Sequence, residues 1–302
     1  MGRRLWMGAV LLPGLRCAEE KGTAGVKVGI VCTTGMIGDF VRVIAGDAAE
    51  VVVLMGPGVD PHSFSASKTD VELLSRADII FYNGLSLEAR MQDLFARWVR
   101  SKKVVAISRD IPAGRLRPLS GFEGGYDPHI WFDVSLWKEA VGPVVATLSE
   151  LRPDLYAEFK VRGEAYRARI DTLHHWVRAL MDSVSKERRF LITAHDAFGY
   201  YGDAYGIKVV GLQGVAVSDD GITDANRLSD LIVDSSVEAI FVESSLPEQP
   251  IRKLMKECLN RGADVSIGGT LYSGALGVPG SEADTYVGMI SFNTRLIAAA
   301  LR

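Results

Sequence analysis

The sequence lacks most of the patterns that announce a function. Its 302 residues include only three cysteines and five histidines. Paired Cys-x-x-Cys elements, a His-Glu-x-x-His element and a glycine-rich phosphate loop are all missing, which argues against zinc-ribbon, metalloprotease and nucleotide-binding sites. Runs of like charge, low-complexity tracts and coiled-coil heptads are missing too. The net charge of −3 offers no basic footprint for a nucleic acid, and without Arg3, Arg4 and Arg16 the chain is more acidic still. With three cysteines, disulfides have little to build on. Cys32 sits in a strand-like run and Cys258 in a helical pattern in the other half of the chain, so both are expected as buried thiols.

What is present is an ordinary globular composition, 48% hydrophobic and 24% charged, long enough for two cores of about 100–150 residues each. The first segment reads differently. MGRRLWMGAVLLPGLRCAEE places a basic pair before an apolar run from Leu5 to Leu15, too short for the ~20 residues of a membrane-spanning helix but suited to an export signal. Residues 1–22 are therefore read as a signal peptide or membrane anchor. Cys17, directly after the run, is a candidate for lipid attachment, although Arg16 stands where a small residue is expected.

Strand and helix patterns alternate twice along the body. VKVGIVCTT, VVVLMG, DIIFYNG and KVVAIS, starting near 27, 51, 78 and 103, are β-branched runs separated by helix-like stretches. After residue 188 the alternation returns with RFLITAH, IKVVGLQG, VEAIFVESS and ADVSIGGTLY. The expectation is an α/β fold of two lobes, 23–152 and 187–302, each with a roughly four-stranded parallel sheet and flanking helices. Between them, 153–186 is expected as one long helix. No proline interrupts 154–184, and Tyr166, Ile170, Leu173, Val177, Leu180 and Val184 recur at spacings of three and four. A rod ~45 Å long in place of a flexible hinge predicts small lobe motions.

The histidines fall into two sets. His62 follows the second strand run in the tripeptide Asp-Pro-His, His129 stands in the same tripeptide after the fourth, and His195 ends the first strand run of the second lobe. Taken singly, each is an ordinary loop or strand-end residue. Three at the carboxyl ends of strands from two lobes can converge in the cleft between them, and that points to a metal. In each Asp-Pro-His the proline restricts the backbone and the aspartate can hold the loop or orient the imidazole. His174 and His175, adjacent on the long helix and pointing ~100° apart, cannot grip one ion and are read as surface.

The stretches CTTGMIGDFVRVIAGD at 32–47, LMGPGVDPHSFSAS at 54–67, YNGLSLE at 82–88, YDPHIWFD at 126–133, TAHDAFGYY at 193–201, GLQGV at 211–215 and FVESSLPE at 241–248 carry a resemblance over almost the whole chain. It resembles the metal-binding receptors of bacterial ABC importers, the TroA, PsaA and ZnuA group. The resemblance implies two α/β lobes joined by one long helix, zinc or manganese bound between them, and delivery to a membrane permease from the periplasm or the outer face of the membrane. It implies no enzyme activity and no nucleic-acid partner, and a monomer is expected. By motif, His62, His129 and His195 fall on the family's first three ligand positions.

The family's fourth ligand, an aspartate in a Leu-Tyr/Phe-x-Asp stretch, is replaced here by Gly274 in LYSGALG. Either water fills that position, or Asp284, Glu282 or Glu243 reaches in, or binding is weaker. Glu243 matches an acidic position that in the family stands behind the ligands. Three imidazoles lean towards zinc, whereas a carboxylate favours manganese. Three histidines with one open position are also the layout of a catalytic zinc, so a zinc hydrolase or hydratase is the rival reading, and a surface adhesin a third.

Overall fold

The computed structural model describes residues 27–119, 124–214 and 225–302. The signal or anchor segment and Cys17 lie outside the described residues.

In the first lobe four parallel strands, β1 (Val28–Thr34), β2 (Ala49–Met55), β3 (Ile79–Tyr82) and β4 (Lys103–Ala106), form a sheet in the order β2-β1-β3-β4. The central strand β1 pairs on both sides, Ile30 opposite Val51 and Ile79, and is buried nearly throughout, which explains its unbroken apolar run. The connection after β2 carries the first Asp-Pro-His. It ends in a capping box that starts the helix Lys68–Arg76: the Asp70 N–H donates to Ser67 Oγ, and the Ser67 N–H donates to Asp70 Oδ2.

The second lobe contains β5 (Phe190–His195), β6 (Lys208–Gln213), β7 (Ala239–Glu243) and β8 (Ser266–Leu271). All four expected strands are present, but they pair in twos, β5 with β6 and β7 with β8. Where β5 and β7 lie side by side, the N–H of His195 donates to the side chain of Glu243 at 2.9 Å rather than to a strand carbonyl.

The linking helix runs from Tyr156 to Asp182, 27 residues or ~40 Å. Its buried face is Phe159, Gly163, Tyr166, Ile170, Leu173, Val177 and Met181. The sequence pattern had placed Leu180 on that face. A step of four from Val177 keeps the 3.6-residue period better than a step of three, so Met181 is buried and Leu180 only partly so, while Val184 is buried beyond the helix end.

One apolar cluster runs from Ile30 and Cys32 of β1 through the linking helix to Tyr286 and Met289 of the last helix, so the two lobes share a core. Aromatic rings close the seam. Phe132 packs at a tilt against Phe198 with centroids 4.1 Å apart, and Trp137 stacks on Tyr286 at 5.2 Å. Trp131 Nε1 donates to the carbonyl of Ser273 at 3.0 Å, and the Tyr286 hydroxyl donates to the carbonyl of Trp131 at 2.7 Å. Cys32 and Cys258 are buried free thiols as expected, and burial pushes the Cys32 thiol far up.

Candidate metal centre

The two Asp-Pro-His tripeptides build the same small turn. In each, the aspartate accepts the backbone N–H of the histidine two residues on: Asp60 Oδ1 from His62 at 3.0 Å, Asp127 Oδ1 from His129 at 2.9 Å. They differ in what the carboxylate does next. Asp127 Oδ1 also lies 2.8 Å from Nδ1 of His129, which makes that nitrogen the donor and leaves Nε2 with its lone pair outward. Asp60 holds only backbone. His195, at the end of β5, is braced on both counts by Glu243 at the end of β7: Oε1 takes its N–H at 2.9 Å and Oε2 lies 2.7 Å from its Nδ1.

The three rings meet. Their ligand nitrogens lie within 4.8 Å of one another, and Nε2 of His62 is 3.0 Å from Nε2 of His129. A tetrahedral ion with ~2.05 Å bonds to nitrogen separates its ligand atoms by ~3.3 Å, so the set needs only small adjustments to close on one. His129 and His195 are 1% and 3% exposed, while His62 is partly exposed and forms the open side. Trp131 stands edge-on to His129, with centroids 5.1 Å apart.

Electrostatics favours neutral imidazoles on two of the three. Burial, reinforced by the other two histidines, pulls His62 down to about 3, and burial with His195 pulls His129 well below the usual range. At His195 burial also lowers, but the Glu243 carboxylate outweighs it and holds the ring above its ordinary value. Burial would raise Glu243, and His195 instead holds it below the carboxylate range. Burial pushes Asp127 up to about 7.

The proposed fourth ligands fare differently. Glu243 is behind His195, bracing it. Glu282 is exposed and pairs with Arg295 at 3.1 Å, and Asp284 turns back to accept the Gly280 N–H at 2.9 Å, so neither joins the histidines. Gly274 is buried beside the site with no left-handed backbone to explain it. Its reason is contact: a Cβ there would stand 2.7 Å from Cδ of Pro61, the proline preceding His62. His174, read as surface, is partly buried, with Nδ1 3.1 Å from the Tyr205 hydroxyl; His175 is exposed.

Sequence reasoning missed Arg117 and Tyr200. The Tyr200 hydroxyl donates to the carbonyl of Asp127 and accepts the N–H of Arg117, both at 2.9 Å, and Arg117 Nε is 3.7 Å from Asp127 Oδ2. The only available signal was the glycine of TAHDAFGYY, since Gly199 has no side chain where Arg117 crosses it.

Comparison with known proteins places this geometry. Residues 30–300 match the family described as "ZnuA: Zinc-uptake complex component A periplasmic". The zinc-binding protein TroA of Treponema pallidum is 44% identical over 273 residues, 90% of this chain and 88% of that protein. The manganese-binding lipoprotein MntA of Bacillus subtilis is 38% identical over 281 residues, 93% and 92% of the two chains. The solved structure of the periplasmic zinc-binding protein TroA superposes with a TM-score of 0.88, covering 91% of this chain and 99% of that one at 44% identity. A two-lobed fold with three converging histidines, matched over nearly its full length by these proteins, belongs to the ZnuA family of metal-binding receptors.

Proposed function

We propose that the protein is the extracytoplasmic receptor of an ABC importer, which captures a divalent transition metal between lobes 23–152 and 187–302 and hands it to a membrane permease. The carrying observation is the convergence of His62, His129 and His195, two of them with Nδ1 against a buried carboxylate so that Nε2 faces the common point. Three nitrogen donors suit zinc better than manganese, and no described carboxylate joins them to shift the balance. Relatives are named for each metal, TroA for zinc and MntA for manganese. Zinc is the preferred cargo on the donor set alone.

The bound ion is cargo rather than a catalyst. A hydrolase or hydratase needs a base placed to move a proton at the open position, and the nearby buried acids, Asp127 and Glu243, are committed to the Nδ1 side of the rings. No helix among the described residues is long and apolar enough to cross a membrane. Anchorage rests on residues 1–22, with Cys17 as the lipid site; MntA and the pneumococcal PsaA are named lipoproteins.

The test is metal analysis of protein purified from its native envelope without chelators, followed by titration of His62→Ala, His129→Ala, His195→Ala and His175→Ala. One ion per chain is expected, with at least tenfold weaker binding in the first three, about 1.4 kcal/mol, and no change in the last. Equal losses at His175 and His195 would remove the assignment.

A further inference from the structure

The charged residues nearest the three histidines include one cation that reaches across the lobes. Arg117 leaves the first lobe from a short antiparallel bridge, where its carbonyl accepts the N–H of Asp127 at 2.9 Å and Pro118 pairs with Tyr126. Its guanidinium crosses the seam into the second lobe. Its Nη1 donates to Asp203 Oδ2 at 2.6 Å and to the carbonyl of Gly199 at 3.4 Å, both on the helix Gly199–Tyr205 that follows His195. The fit over Gly199 is tight: a Cβ there would stand 2.5 Å from Nε and 2.8 Å from Cζ of Arg117.

On its inner side the same guanidinium faces the metal site. Nε is 3.7 Å from Asp127 Oδ2, a buried oxygen with no hydrogen-bond partner of its own, while Oδ1 of that carboxylate holds both the N–H and Nδ1 of His129. Asp127 is 1% exposed, and Arg117 is the cation that offsets it. Asp196 and Asp203 add to the negative charge around that one guanidinium. The backbone of Arg117 is tied in as well, through the Tyr200 hydroxyl that also donates to the carbonyl of Asp127.

We infer that Arg117 is a positioning residue for the metal site, carrying the contact between the lobes, through Asp127, into the orientation of His129. The inference rests on the three-histidine site proposed above. With the lobes apposed, the guanidinium lies over Gly199 and is aimed at Asp127 Oδ2, so the carboxylate keeps Oδ1 on Nδ1 and His129 keeps Nε2 towards the ion. If the second lobe moves away, Arg117 loses Asp203 and the Gly199 carbonyl, and Asp127 loses the cation held beside its second oxygen. The contact across the seam and the hold on His129 are thereby linked through one guanidinium.

The experiment uses the full chain and zinc alone, with cobalt(II) as the spectroscopic probe. Arg117→Met is expected to weaken zinc binding by about tenfold, at the lower end for groups that orient a ligand's partner, and to alter the visible cobalt spectrum. Arg117→Lys, which keeps a charge near Asp127, should recover most of the affinity. Gly199→Ala pushes the guanidinium away with all charges intact and should move affinity in the same direction as Arg117→Met. It is read alone if thermal melts show that Arg117→Met does not fold. A folded Arg117→Met with wild-type affinity and cobalt spectrum would overturn the inference, as would a loss that Arg117→Lys does not recover. Wild-type protein that takes up no zinc would overturn the functional reading and this inference together.

Discussion

Gly274→Asp supplies the carboxylate that the family resemblance implies at this position and tests what the glycine is for. The added Cβ would sit 2.7 Å from Cδ of Pro61, against an ordinary carbon contact of ~3.5–4.0 Å, so about 1 Å must be found. Pro61 is a rigid ring whose carbonyl leads straight into His62, and the adjustment therefore passes to a ligand. Overpacking of this kind costs about 1–3 kcal/mol, a fall in melting temperature of about 2–10 °C for metal-free protein of this size. Against it stands a carboxylate that replaces water on an ion otherwise held by neutral nitrogens. That gain is larger for manganese, the harder ion, by about 1 kcal/mol, or roughly fivefold in the manganese-to-zinc affinity ratio. The expected result is a less stable metal-free protein whose selectivity moves towards manganese. Competition titrations with thermal melts measure both, and Gly274→Asp combined with Pro61→Ala should recover part of the lost stability because the clash is shared. A folded Gly274→Asp with an unchanged manganese-to-zinc ratio would show that residue 274 does not face the ion.

Asp127→Asn should weaken zinc binding by about 10–100-fold while His129 stays in place, because an amide can present its own N–H to Nδ1 and favour the wrong tautomer; calorimetric titration checks this. The pH dependence follows from His62 and His129, both held below the ordinary histidine value of ~6.5. Below that value the unfolded chain binds protons at His62 and His129 that the folded chain refuses, which lowers the stability of metal-free protein, while Asp127, pushed up to about 7, takes a proton in the fold and opposes part of that loss; Asp127→Asn should therefore steepen the fall in stability below about pH 6.5, measured by thermal melts against pH. For the same reason zinc release on acidification should be centred below pH 6.5, and release centred above it would contradict the buried, neutral assignment. Scattering curves of metal-free and zinc-loaded protein should nearly superimpose, because the linking helix and the Trp137–Tyr286 and Phe132–Phe198 ring contacts bind the lobes into one core; a large compaction would refute this.

β1, β3, β5 and β7 were legible because parallel strands buried on both faces write themselves as short apolar runs, the half-exposed β2 because its valines are β-branched, and His62 and His195 because each follows or ends such a run. The role of aspartate in Asp-Pro-His was readable in kind, since an Asx turn is a local event. That only Asp127 reaches the ring was not, because it depends on side-chain direction within the fold. Asp284 and Glu282 point away from the histidines for a related reason: nearness to Gly274 along the chain does not aim a side chain, and Asp284 accepts the Gly280 N–H of its own loop while Glu282 pairs with Arg295. The contact that explains Gly274 and the crossing of Arg117 over Gly199 both join residues of different lobes, so no periodicity or spacing encodes either.

The three imidazoles are unequally held, and that inequality gives the site a direction. His129 and His195 are buried, and each has a buried carboxylate on its backbone N–H and beside its Nδ1, so turning the His129 ring breaks a hydrogen bond and turning the His195 ring pulls it away from the Glu243 carboxylate 2.7 Å off. No carboxylate holds the His62 ring: Asp60 takes only its backbone N–H, the loop rests on Gly274, and the ring, 3.0 Å from Nε2 of His129, is the partly exposed one. Adjusting His62 is therefore the least costly way to open the coordination sphere, with the other two acting as a rigid floor. A side chain larger than hydrogen at 274 would press on that same loop. The glycine thus keeps clear the loop that carries the most loosely held of the three histidines.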